Sequence, residues 1–133
     1  MVAAGCAAAV TGVAGCGGGD PANPERTATA FTRAVGSGDA ATACGLLSPD
    51  VRAAVGESAG GSCADALRES PPPSGTAVVR AERYGRQALV VTDDDTLFLS
   101  EFSDGWKVIG AGCTPRAASG TSALPYDCEI SGG

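Results

Sequence analysis

Apolar residues recur at helical spacing through the first half of the chain and at alternating spacing through the second. Ala28, Phe31, Ala34 and Val35 share one face at a 3.6-residue period. Asn23-Pro24 stands just before them as an N-cap with proline at the first helical position. Gly36-Ser37-Gly38 ends that helix. Asp39 caps a second, which turns Ala43, Leu46 and Leu47 inward. Ser48-Pro49 starts a short third helix through Val51 and Val55, and Gly60-Gly61 breaks it. Ser62, with Asp65 three residues on, opens a fourth as a capping-box variant. Cys63 falls at its first position and Leu67 faces inward.

Ser70-Pro71-Pro72-Pro73-Ser74-Gly75 then separates the helical half from a strand-rich half. A stiff linker explains the proline run without a partner. Alternation predicts antiparallel strands at 76–83, 86–92, 96–102 and 106–112. Tyr84-Gly85, Asp93-Asp94-Asp95 and Ser103-Asp104-Gly105 supply the turns. A three-residue loop with Gly105 in the left-handed region sets Phe102 opposite Trp106 and Glu101 opposite Lys107. That register gives an aromatic pair on one face and an ion pair on the other. The stretch after 112 reads as a cysteine-pinned tail. The expectation is one α+β domain over 23–130, with N-terminal helices on a curved four-stranded antiparallel sheet. No internal repeat or coiled-coil heptad interrupts it.

Composition changes this picture in two ways. Much of the 44% hydrophobic content is alanine, so the core is modest and covalent staples are physically useful. The net charge of −6 argues against a nucleic-acid partner, which needs a basic patch to neutralise phosphate. The one local basic cluster is Arg80, Arg83 and Arg86, with Glu82 inside it. It straddles a predicted hairpin turn and reads as a solvated tip. Binding to anionic lipid by charge is not expected from the overall balance.

The N-terminus carries an address. Val13-Ala14-Gly15-Cys16, opening onto Gly17-Gly18-Gly19-Asp20, resembles a bacterial lipobox, in which small residues precede a cysteine that is lipidated. Residues 1–15 then read as a signal peptide and 16–22 as a Gly-rich tether. The apolar run 1–15 is too short, and too rich in Ala and Gly, to span a membrane as a helix. A secretory signal normally begins with basic residues, and 1–15 has none; a start codon lying upstream accounts for this. Ala3-Ala4-Gly5-Cys6 also fits the pattern, but it leaves the apolar run after the cysteine. Setting Cys6 and Cys16 aside leaves Cys44, Cys63, Cys113 and Cys128, an even number suited to an oxidising compartment. Three pairings are open, and the local one, Cys44–Cys63 with Cys113–Cys128, is the simplest. Zinc fits poorly, because there is no Cys-x-x-Cys knuckle and no histidine.

Phe31, Gly38-Asp39, Ala43-Cys44, Leu46-Leu47-Ser48-Pro49, Arg52, Cys63-Ala64 and Ala66-Leu67 resemble the helical half of small actinobacterial envelope lipoproteins. Gly105-Trp106-Lys107-Val108, Gly112-Cys113-Thr114-Pro115 and Tyr126-Asp127-Cys128 resemble the end of the same proteins. The resemblance covers about residues 25–130 and implies a cone-shaped fold similar to nuclear transport factor 2, in the cystatin-like group. It implies no activity, since most members have no assigned function.

Some relatives of that cone are polyketide-cyclase-like and ketosteroid-isomerase-like enzymes, whose chemistry needs an Asp or His base inside the cone. This chain has no histidine, and its acids fall mostly at caps and turns. Only Glu82 and Tyr84, with Arg80, share one strand face that is expected to project toward a cavity. Asp93-Asp94-Asp95 is too compact for a calcium loop and reads as a solvated turn. Phe31, Phe98, Phe102 and Trp106 are the candidate cavity-lining residues. The expected protein is non-enzymatic, needs no cofactor or metal, and is held on the outer face of a cell membrane through Cys16. There it binds a small apolar ligand or a membrane-protein partner. A cone-cavity enzyme is the alternative.

Overall fold

The computed structural model describes residues 23–71, 75–115 and 126–132. The signal, the tether and the lipidation expected at Cys16 lie outside the described residues. So do Pro72 and Pro73.

Each helix starts where a side chain can accept the orphan N–H groups of a first turn. Asn23 Oδ1 accepts from the N–H groups of Glu25 at 2.9 Å and Arg26 at 3.3 Å, opening α1 (Pro24–Ser37). Gly38 closes it at φ 76°, a left-handed position that favours glycine. Asp39 caps α2 (Ala40–Leu46) by accepting from the Thr42 N–H at 3.3 Å and the Thr42 hydroxyl at 2.6 Å. Ser48 caps α3 (Pro49–Ser58), and Ser62 caps α4 (Cys63–Arg68). Ala28, Phe31 and Ala34 of α1 are buried, as the periodicity predicts.

The strands β1 (Val78–Tyr84), β2 (Gln87–Thr92), β3 (Thr96–Phe102), β4 (Gly105–Pro115) and β5 (Tyr126–Ser131) form one antiparallel meander in chain order. The sheet therefore has five strands where the sequence reading expects four. The expected tail is β5: Tyr126, Cys128 and Ile130 are half-buried, alternating with exposed Asp127, Glu129 and Ser131. It pairs with the second half of β4, from Gly110↔Ser131 to Pro115↔Tyr126. The first half of β4 runs beside Leu47 instead, and the Ser48 N–H donates to the Val108 carbonyl at 3.0 Å.

Alternation assigns the two faces of the sheet. Ala88, Val90, Leu97, Leu99, Trp106 and Val108 turn toward the helices and are buried with Phe31, Leu47 and Leu67 in one core. Leu97, Leu99, Val90 and Val108 are its largest fully buried side chains. Each is worth about 1.5–3 kcal/mol of burial, which offsets the shortage of large residues in the helices. The opposite face carries Leu89 paired with Glu82 and with Phe98.

The β3–β4 register differs from the expected one. Phe102 faces Gly105, Glu101 faces Trp106 and Ser100 faces Lys107 across a two-residue turn. The aromatics thus leave on opposite faces: Trp106 is 2% exposed in the core and Phe102 is 37% exposed. Burying the larger ring outweighs pairing the two. A register shift between Phe98 and Leu99 leaves Ile109 as an extra residue in β4, a bulge that restores the inward alternation.

The disulfides follow the local pairing. Cys44–Cys63 joins α2 to α4, and Cys113–Cys128 joins opposed positions of β4 and β5.

Candidate functional site

Among the described residues, one concavity of about 860 Å³ is an open groove between the α2–α3 segment and the β3–β4 turn. Its two cations are already engaged. Lys107 Nζ donates to the Gly45 carbonyl at 3.2 Å and sits 3.5 Å from Asp104, while Arg52 Nε donates to the Cys44 carbonyl at 3.0 Å. Both satisfy carbonyls at the end of α2, where positive charge is favoured. The groove's cations are therefore spent on the fold.

A second, about 440 Å³, opens between α1, the β2–β3 turn and the β4–β5 pair. Phe31, Val35 and Ile130 give it an apolar wall, and Thr32, Asp95 and Glu129 give it polar groups. Asp95 is the residue that sequence reasoning missed here. The N–H groups of Thr96, at 2.7 Å, and of Gly112 and Cys113 bond its carboxylate and tie the turn to β4. Burial pushes its carboxyl above the usual value of 3.8, against the pull of those N–H groups. In sequence it is one of three identical acids; only the tertiary approach of β4 singles it out. Gly112 itself sits at φ 63°, a position that favours glycine, and an added Cβ there would lie 3.0 Å from Glu129 Oε2 of β5.

The expected aromatic lining does not assemble. Phe31 borders the second cavity, and Phe102 borders the open groove. Phe98 packs edge-on against Tyr126, with ring centroids 5.1 Å apart. Trp106 is buried in the core under the Arg83 guanidinium, 4.9 Å from the ring centroid, and its Nε1 finds no acceptor among the described residues. Phe98 and Phe102 occupy positions of β3 that leave on the face away from the helices, while Trp106 of β4 turns into the core. A single cone lined by all four is corrected accordingly.

The trio Arg80, Glu82 and Tyr84 does share a face, as expected, but it is the face away from the helices. The Tyr84 hydroxyl donates to Glu82 Oε2, which raises the Tyr84 pKa. Arg80 Nε lies 3.8 Å from Glu82 Oε1, and both side chains are well exposed. Among the described residues no cluster of three or more His, Cys, Asp or Glu side chains has a metal-holding arrangement. No helix among them is long and apolar enough to cross a membrane.

No family model, curated protein or solved structure matches the chain.

Proposed function

We propose that this chain is a lipid-anchored extracytoplasmic binding module, attached to the outer face of a membrane through Cys16 and acting without catalysis. The observation that carries the reading is the pairing of all four cysteines among the described residues into two disulfides. Such bonds persist in oxidising compartments. The lipobox-like Val13-Ala14-Gly15-Cys16 supplies the anchor. Helices packed on one face of an antiparallel sheet suit the nuclear transport factor 2-like architecture that the resemblance implies. The cavity beside Phe31, at about 440 Å³, is of a size that takes a small molecule with an apolar body.

The test is membrane fractionation of cells expressing the chain with its natural upstream region, beside a Cys16→Ser variant. The wild type is expected in the membrane fraction, carrying acyl label, and the variant in the soluble fraction. A variant that stays with the membrane and keeps its label overturns the anchor.

The second reading is a cavity enzyme similar to polyketide cyclases or ketosteroid isomerases, and Asp95 is the observation that favours it. Its raised pKa and its place at the cavity suit a base. Its three backbone bonds suit a turn anchor better, because they occupy the lone pairs a base would use.

A further inference from the structure

We propose that the edge strand β1 and its hairpin tip form the membrane-facing surface of the anchored protein, with Arg80, Arg83 and Arg86 meeting anionic lipid headgroups. This rests on the Cys16 anchor.

The first argument is reach. The described residues begin at Asn23, and the start of α1 lies against the middle of β1 across a shallow cleft of about 180 Å³ bordered by Asn23, Pro24 and Glu25 on one side and Ala81, Glu82 and Arg83 on the other. Cys16 precedes Asn23 by seven residues, which span at most about 25 Å when fully extended. A lipid on Cys16 therefore holds the bilayer surface within about 25 Å of Asn23, which borders β1.

The second argument is charge. The segment 78–87 carries three arginines against one glutamate, in a chain of net charge −6. The rest of the molecule is repelled by an anionic surface while this edge is attracted to it, so the field orients the domain as well as holding it. The overall balance that argues against lipid binding hides this asymmetry. Arg80 gives up little to turn to headgroups, since its pair with Glu82 is exposed and long at 3.8 Å. Arg83 is held in place by its stack on Trp106.

The third argument is the company the arginines keep. Among the described residues β1 is an edge strand, paired with β2 alone. Val79 is 68% exposed and Tyr84 is 62% exposed along it. Aromatic and apolar side chains beside arginines suit the headgroup layer, where a ring sits with its hydroxyl in water.

The experiment supplies the anchor chemically. The full-length chain carrying Cys6→Ser, with both disulfides formed, is coupled through Cys16 to a maleimide lipid in phosphatidylcholine vesicles, with or without phosphatidylglycerol. Trp106 is the single tryptophan and lies beneath Arg83, so quenching of its emission by a headgroup-nitroxide lipid reports the approach of β1. Quenching is expected to be stronger with phosphatidylglycerol and to fall on adding salt. R80Q/R86Q is expected to remove the difference, each arginine being worth about fivefold in the bound orientation at low salt. Equal quenching on the two vesicles, or quenching indifferent to salt, overturns the proposal without reference to any variant. Unchanged quenching in R80Q/R86Q overturns the role of the arginines. Coupling replaces cellular lipidation, so none of these outcomes bears on whether cells acylate Cys16, which fractionation decides.

Discussion

The helical half and the sheet half of this protein are held by different means. Between Asn23 and Ser70 the chain makes helices of 14, 7, 10 and 6 residues, three of them too short to persist alone. Their buried faces are mostly small side chains, with alanine in α1 and α2 and only Phe31, Val51 and Leu67 as larger apolar groups. Local devices start and staple them, with an N-cap side chain at every start and one disulfide between α2 and α4, and Phe31, Leu47 and Leu67 dock them on the sheet. The sheet half carries the large apolar residues, with Leu97, Leu99, Val90 and Val108 fully buried. It is held by ladders, by burial and by its own disulfide between β4 and β5. A sequence poor in large hydrophobes thus concentrates them in the strands and secures the helices with caps and a covalent staple.

The sharpest way to break this contrast is to empty the sheet core. Leu99→Ala removes a fully buried side chain and is expected to cost about 2–5 kcal/mol. Chemical denaturation followed by both circular dichroism and Trp106 emission should show one shared transition at lower midpoint. A loss below about 1 kcal/mol would mean that the strands are not the main store of burial energy.

The staple comes next. Cys44→Ala with Cys63→Ala is expected to cost about 3 kcal/mol, the loop-closure value for a sequence separation of 19. Cys113→Ala with Cys128→Ala closes a similar loop, with a separation of 15, but its strands stay joined by the β4–β5 ladder. Hydrogen exchange separates the two cases. The first variant should lose protection in α2 and α4 while β3 keeps its own. Uniform loss over both halves would erase the distinction between them.

A cap is smaller again. Asn23→Ala is expected to cost about 1 kcal/mol and to speed amide exchange at Glu25 and Arg26, whose N–H groups it serves. Unchanged exchange there would remove the cap from the account.

The same contrast explains what was legible in the sequence. Caps are local chemistry, so Asn23, Asp39, Ser48 and Ser62 announce their helices from neighbouring residues alone. The local cysteine pairing was legible too, as the simplest of three. Strand partners are settled by burial at a distance. Phe102 and Trp106 look like a cross-strand pair until the core claims Trp106 and the turn tightens to two residues. The alternation of Tyr126, Cys128 and Ile130 was a strand signal in plain view, masked by reading Cys128 only as a pin. Glu82 was visible as a strand residue, but which face met the helices was not. Asp95 was invisible as a distinct residue, because its burial is made by β4 and not by its own turn.

The smallest effect is the one that tests the contrast by sign. Asp39 in the helical half has its pKa lowered, chiefly by the Thr42 hydroxyl and then by the Thr42 N–H. Its folded form binds protons less readily than the unfolded chain, so its contribution is present above the usual value of 3.8 and is lost as pH falls through the lowered one. Asp95 in the sheet half has its pKa raised, chiefly by burial. Its folded form binds protons more readily, so its contribution is full below 3.8 and is lost as pH rises through the raised value. The two carboxylates therefore tilt stability in opposite directions across the acid range. Urea midpoints measured from pH 6 to about 3, around the usual carboxylate range, should show it. The wild type should lose its advantage over Asp39→Asn toward the acid end, and should gain on Asp95→Asn over the same interval. Parallel curves for Asp95→Asn and wild type would mean that the β2–β3 turn carboxylate is solvated like any other, and that the cavity beside Phe31 has no buried acid in its wall.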